Sequence, residues 1–421
     1  MSGMFWSFLG SLVGRGALVL SGIVAARLLG KEAFGALGIL QNTILMFGIF
    51  AGFGIGITAT KYIAEYRIKD PDRAGRILAL SLVVAIGFGS LAMALLCFFS
   101  PKLARATLAA PYLSTPLRIS SVLFLFTAIS GAQTGILSGL ESFKKSALVN
   151  LWTGALTLVI NITLIMLYGF YGAVWGLVIS SGIGCLISHF AILSETKRLR
   201  IPINFDQMTA ECGVLLRFSL PAVVAGLVPG PVRWLCSVML VNRPGGYSEM
   251  GVFNAANQWA QIIIFLSTVV ASASIPILSE RLGANDIRSS FRILKVTMVL
   301  SVILVLPLVL LGSILSPWIM GAYGKTFQSA WPTLVILLLA SSLLAVQIPV
   351  GNMIQASGRM WTGALMNWGS AVVLLALTWI TLSLGALGLS IAVLGSYIAN
   401  GVLTFGYAGW MIHKFSEVNV E

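Results

Sequence analysis

Charge is what this sequence has least of. Only 9% of its 421 residues are charged, while 58% are hydrophobic. A water-soluble domain carries about a quarter charged residues, so a soluble fold is excluded and the apolar excess must face lipid. Acids are the scarcer sign, with 13 Asp and Glu against 26 Lys and Arg. Cysteine is also rare. Cys97, Cys185, Cys212 and Cys236 are scattered without a CxxC pair, which argues against a disulfide framework or a metal site and for buried thiols. The two histidines, His189 and His413, lie near expected helix ends with no acid close in sequence, so neither reads as catalytic. No metal and no cofactor is expected. There is no P-loop, so the chain is not expected to hydrolyse ATP. No loop has room for the catalytic apparatus of a membrane glycosyltransferase, and the chain is not read as an enzyme.

What is present is a series of long apolar runs, enough for about twelve helices of ~20 residues. Broken at charge, Pro or Gly, they predict spans over 5–29, 34–60, 77–99, 116–140, 147–168, 172–194, 213–241, 250–276, 293–315, 329–353, 360–382 and 385–411. The expected fold is therefore an all-α integral membrane protein of about twelve transmembrane helices. The start, Met1 to Gly14, lacks the basic region and cleavage site of a signal peptide and is read as part of the first span. Only Ser383 and Leu384 separate the last two spans, with Gly385 and Gly388 providing the bend. Loops after even-numbered spans, with the C-terminus, hold seventeen basic residues, and loops after odd-numbered spans hold six. Basic residues concentrate on the cytoplasmic side, which predicts both termini in the cytoplasm.

The longest polar interval, Glu195 to Cys212, falls at the middle of the chain. It predicts an N-terminal six-helix half, 1–195, a cytoplasmic linker, 196–212, and a C-terminal six-helix half, 213–421. An offset of 216 positions pairs Gly30 with Gly246, Asp70 with Asp286, and Arg76-Ile77-Leu78 with Arg292-Ile293-Leu294. Six spans is an even number, so both halves keep the same orientation, and their pseudo-twofold axis should follow the membrane normal. The space along that axis is the expected substrate pathway. Asp70, followed by Pro71, and Asp286 read as caps of the third and ninth spans.

Cations at membrane depth are the functional candidates. Arg15 lies about ten residues into the first span, ~15 Å deep, and shares a helix face with Ser11 and Gly22. A lipid-facing Arg there costs at least ~2.5–3.5 kcal/mol, so it should point to protein or water. It reads as an anion ligand; the alternative is bonding to carbonyls of a kinked neighbour. The seventh span holds Pro221, Pro229, Gly230 and Pro231, which cannot all lie in one straight helix and mark a hinge. Arg233 just beyond is an anion ligand or a partner for the carbonyls that the prolines free. Arg217, Lys61 and Arg118 are further candidates for substrate binding, each near a span end where it can instead snorkel to the interface. No Asp or Glu lies within a span; Glu65, Glu141 and Glu249 sit at span ends.

Two runs carry a family resemblance: AARLLGKEAFGALGILQN, Ala25 to Asn42, and GFGIGITATKYIAEYR, Gly52 to Arg67. They resemble the start of polysaccharide-lipid flippases of the O-antigen type, above all at Thr60-Lys61-Tyr62. GFYGAVWG, Gly169 to Gly176, is a shorter match to the turn before the sixth span. That family belongs to the multidrug/oligosaccharidyl-lipid/polysaccharide exporter superfamily, which also holds multidrug extruders and peptidoglycan-precursor flippases. The latter usually carry two additional spans, which are not found here. The resemblance implies transport of an undecaprenyl-pyrophosphate-linked oligosaccharide from the cytoplasmic to the periplasmic leaflet of the bacterial inner membrane, by alternating access through a cationic central cavity. Membrane lipids and downstream polysaccharide assembly proteins are the expected partners. Independently, a pyrophosphate needs cations, and Arg offers several fixed donors. The rivals are a cation-coupled multidrug exporter of the same fold, which would be expected to use intramembrane carboxylates, and a membrane polysaccharide polymerase or ligase, which would be expected to show a large periplasmic loop.

Overall fold

A backbone crossing lipid must satisfy its own N–H and C=O groups, and the apolar runs do so as helices. The computed structural model describes residues 2–52, 54–205, 208–211, 213, 229–284, 286–357 and 360–418, and among these no strand occurs. Among the described residues, eight stretches are long and apolar enough to cross a membrane. Three of them are double. Gly30 folds Ser2–Gly52 into α1 (2–29) and α2, which runs over 31–52 and resumes as Ile55–Lys69. Gly169 folds Phe143–Leu199 into α5 (143–168) and α6 (170–199). Gly385 separates α11 (Met360–Thr381) from α12 (Gly385–Val418). The others are α3 (Pro71–Lys102), α4 (Ser114–Ser120 continued by Val122–Gly139), α8 (Gly246–Gly283), α9 (Ile287–Ile314) and α10 (Trp331–Ala356). The shorter α7, Pro229–Val241, is the described part of the seventh predicted span, and with it each of the twelve predicted spans has a helix among the described residues; short helices at Ser316–Ala322 and Lys325–Gln328 lie between α9 and α10.

The predicted span 34–60 departs from a single straight helix. It breaks at Gly54, whose left-handed backbone (φ 61°) caps Ile55–Lys69. The prediction missed this because the run stays apolar across the break.

Two turns show the internal repeat. Gly169 (φ 57°, ψ −131°) and Gly385 (φ 61°, ψ −132°) share one backbone conformation and lie at the 216-residue offset. Both φ values are positive, a region that favours glycine. Each is followed three positions later by another glycine, Gly172 or Gly388. A Cβ on either would collide with a carbonyl oxygen of the preceding helix, that of Leu164 or of Thr381. The expected caps repeat likewise. Asp70 Oδ1 accepts a hydrogen bond from Arg73 N at 2.9 Å, and Asp286 Oδ1 accepts one from Ser289 N at 3.1 Å.

The chain divides into two compact units, Met1–Gly230 and Pro231–Glu421. In the first, α1 lies along α5 in parallel. A Cβ on Gly10 would meet Ala147 Cα at 2.9 Å, one on Gly154 would meet Gly14 Cα at 3.3 Å, and Asn161 Nδ2 donates to Ser21 Oγ at 3.4 Å. Helices α2 and α4 meet as closely, through Gly56, Gly131 and Gly135. The interval expected to be a plain linker is docked on this unit. A Cβ on Gly75 of α3 would strike Pro202, and the buried Glu211 takes Arg73 Nε at 3.0 Å and Nη2 at 3.1 Å. The Arg73 guanidinium also lies 4.3 Å from the centre of the Tyr66 ring.

In the second unit, Ser267 on α8 donates to Ala345 O of α10 at 2.7 Å. Gln347 of α10 donates to Tyr397 O at 2.8 Å, and its Oε1 accepts from Asn400 Nδ2 at 2.8 Å, both on α12. Side chains such as Leu310, Val372 and Trp379 are exposed. On a membrane-spanning helix that apolar surface is the face offered to lipid.

Candidate functional site

Within the first unit, α2, α4, α5 and α6 enclose a cleft of about 660 Å³. Its walls come close because they are built from glycine. Gly56, Gly131, Gly135 and Gly184 all line it, and a Cβ on Gly56 would stand 2.6 Å from Gly131 O. Seven of the thirteen lining residues carry a hydroxyl: Thr60 on α2, Thr127, Ser130, Thr134 and Ser138 on α4, Thr153 on α5 and Ser181 on α6. Ile57 and Phe126 complete the lining, and none of the thirteen is charged. Thr60 Oγ1 donates to Gly56 O at 2.9 Å and also lies 3.1 Å from Gly135 O, tying α2 to α4. Ser130 Oγ lies 3.2 Å from the Cys185 thiol. Thr153 Oγ1 is enclosed and has no hydrogen-bond partner among the described residues. An unsatisfied buried hydroxyl costs ~1–3 kcal/mol, and its burial keeps it out of reach from the cleft; the hydroxyls the cleft presents openly are those of the exposed Thr127 and Thr134.

The cations picked from the sequence lie elsewhere. Arg15 is part-buried in α1, next to Gly14 and so beside the seam with α5. Lys61 is exposed near the end of α2, its Nζ 5.0 Å from the centre of the Tyr62 ring. Arg118 is exposed at the start of α4, and its Nε donates to Ser100 Oγ at 3.3 Å. A Cβ on Gly139, at the other end of α4, would lie 3.0 Å from Thr60 O, so Lys61 and Arg118 stand ~30 Å apart. None of these three lines the cleft. Arg233 belongs to the second unit, on α7. It is exposed, and its Nη2 donates to Tyr397 Oη at 2.6 Å. That uses one of five guanidinium N–H groups and orients the rest. Sequence reasoning missed the polar chain behind it, Tyr397, Gln347 and Asn400, because its members are neutral and far apart in the chain. Arg217 and Pro221 lie outside the described residues. Pro229, Gly230 and Pro231 form the first turn of α7, where a missing N–H is tolerated.

Two of the three acids at span ends have structural work. Glu141 Oε2 pairs with Arg67 Nη2 at 2.7 Å. Glu249 Oε2 accepts from Ala386 N at 2.8 Å, capping α12 at the Gly385 turn. Glu65 is exposed. No metal-binding cluster of His, Cys, Asp or Glu occurs among the described residues.

Apolar helices of membrane-crossing length, with hairpins folded at glycines, define a multi-pass all-helical fold. The comparison with solved structures agrees: an inward-facing multidrug resistance MATE family transporter of the MOP superfamily superposes with a TM-score of 0.81, covering 95% of each chain at 17% identity. The sequence is more specific. The polysaccharide biosynthesis protein family matches residues 1–281, and the MatE family matches 231–380. The chain belongs to the polysaccharide biosynthesis protein family, as the resemblance at Ala25–Asn42 and Gly52–Arg67 implied. Among its relatives is the EPS I polysaccharide export inner membrane protein EpsE of Ralstonia nicotianae, 25% identical over 89% of this chain and 85% of the relative. Another is the lipid III flippase of Escherichia coli, 23% identical over 67% of this chain and 68% of the relative.

Proposed function

We propose that this protein is a transporter, not a catalyst. It moves an undecaprenyl-pyrophosphate-linked oligosaccharide, a repeat unit of the O-antigen or a related polysaccharide, from the cytoplasmic to the periplasmic leaflet. It works by alternating access, with both termini in the cytoplasm and the halves 1–195 and 213–421 joined by 196–212. One observation carries the reading: the groups available at membrane depth are cations and hydroxyls, and the carboxylates are at helix ends. That set suits a diphosphate with a sugar and does not suit a cationic drug. The relatives point the same way, one named for polysaccharide export and another for flipping a lipid. Arg15 and Arg233 are the proposed diphosphate ligands, with Arg217, Lys61 and Arg118 as further cations along the route. The hinge is assigned to Pro221, Pro229, Gly230 and Pro231.

No acid inside a span is proposed to couple an ion. Outward movement of one negative charge is favoured by ~2.3 kcal/mol per 100 mV if the whole field is crossed, and later assembly steps remove the product. The cation-coupled multidrug exporter is the second reading, supported by the MatE match over 231–380 and opposed by the missing intramembrane acids. Arg15→Glu should abolish surface polysaccharide while protein stays in the membrane at the normal level. Arg15→Lys keeps the charge and loses the fork of donors, and should retain only part of the activity. A fully active Arg15→Glu protein would remove Arg15 from the mechanism.

A further inference from the structure

The cleft between α2, α4, α5 and α6 is not where a diphosphate would bind, because its lining holds no charge. We infer that it is a carbohydrate subsite, which takes the sugar head of the lipid-linked substrate; this rests on the flippase reading above. Three features select a sugar. The lining offers many hydroxyls and no ion, which matches a neutral polyhydroxylated ligand and leaves both an anion and a cation without a counter-charge. Phe126 and Ile57 give apolar lining for the C–H side of a pyranose. Thr127 and Thr134, both exposed and both in the lining, present hydroxyls that a sugar hydroxyl can meet.

Size and position agree. About 660 Å³ lies within the ~300–1,000 Å³ of small-molecule sites and has room for more than one ring. Along α4 the cleft runs from Phe126 to Ser138, ~18 Å of helix. Ser138 is one residue from the α4 end where α2 also passes, the end assigned to the cytoplasm, so the cleft begins where a newly made head group arrives. The reading therefore separates two tasks: arginines hold the diphosphate, and this cleft senses whether a sugar is attached.

The test compares bare farnesyl pyrophosphate with farnesyl pyrophosphates carrying glucose, galactose or N-acetylglucosamine. Their binding to the purified full chain in detergent is measured by calorimetry. At least one sugar-bearing probe should bind ten-fold or more tighter than the bare one. Gly131→Leu is the informative variant, because a Cβ at 131 meets nothing within 4 Å and the side chain can grow into the cleft. It should reduce the sugar preference to less than two-fold and leave affinity for bare pyrophosphate within two-fold of wild type. Thr134→Val, nearly the same shape without an exposed lining hydroxyl, should lower the preference about three-fold, and it keeps the test open if the leucine variant does not fold. Equal binding of all probes to the wild type, or an undiminished preference in both variants, overturns the subsite and leaves the flippase reading standing. Failure of every probe to bind overturns both.

Discussion

Gly131 and Gly135 stand one helical turn apart on α4, and adding the same methyl group to each should have opposite effects. At Gly135 a Cβ would collide with Gly56 O and stand 2.6 Å from Gly56 Cα. Relief requires α2 and α4 to separate by nearly 1 Å, a strain of ~1–3 kcal/mol. The same separation stretches the 3.1 Å contact between Thr60 Oγ1 and Gly135 O beyond hydrogen-bonding range, costing ~0.5–1.5 kcal/mol. The gain in helix propensity from Gly to Ala offsets ~0.8–1 kcal/mol of this. Gly135→Ala should therefore destabilise by ~1–3 kcal/mol. At Gly131 nothing lies within 4 Å of the new Cβ, so only the propensity gain remains. Gly131→Ala should be neutral or stabilising by up to ~1 kcal/mol. Melting of the purified variants in detergent reads the difference: the Gly135 variant should melt below wild type and the Gly131 variant at or above it. Equal melting points, or the reverse order, would refute the close packing of α2 on α4 that shapes the cleft.

Acid should act through Glu195, at the end of α6. Its side chain is buried against Lys145 Nζ at 2.6 Å and Arg198 Nη2 at 2.9 Å. Burial alone would raise its pKa, but the hydrogen bond and charge of Lys145, with the charge of Arg198, outweigh that and hold it below the usual carboxylate value. A carboxylate with a depressed pKa stabilises the fold above its unfolded value, ~4.3, and that contribution is lost as pH falls through the folded value. Glu195→Gln should accordingly melt lower than wild type at pH 7, and the gap should close below about pH 4; a gap unchanged at low pH would contradict the assignment. Asp70→Ala and Asp286→Ala should each cost ~1 kcal/mol by thermal melting, because each removes a helix N-cap.

Much of this protein was legible in one dimension. Apolar runs in lipid have one local solution, so the helices and their approximate limits follow from hydropathy, and the caps at Asp70 and Asp286 follow from local hydrogen-bond chemistry. The turns at Gly169 and Gly385 were visible as glycines at short gaps. The family resemblance rested on contiguous runs and held. The candidate cations were legible as residue types at unusual depth, but depth along a helix says nothing about which way a side chain points. Only the tertiary structure put Lys61 and Arg118 at opposite ends of α4, joined Arg233 to Tyr397, and docked Glu211 on Arg73. The cleft is the clearest case. Thr127, Ser130, Thr134 and Ser138 follow one another at helical spacing and were readable as a stripe. A stripe of hydroxyls can equally bond back to its own helix or to a neighbouring one. It becomes a site only when α2, α5 and α6 close around it, and that closure depends on glycine contacts between residues as far apart in sequence as Gly56 and Gly135. Local pattern determines which segments are helices; close packing between distant segments decides which of their faces enclose a space.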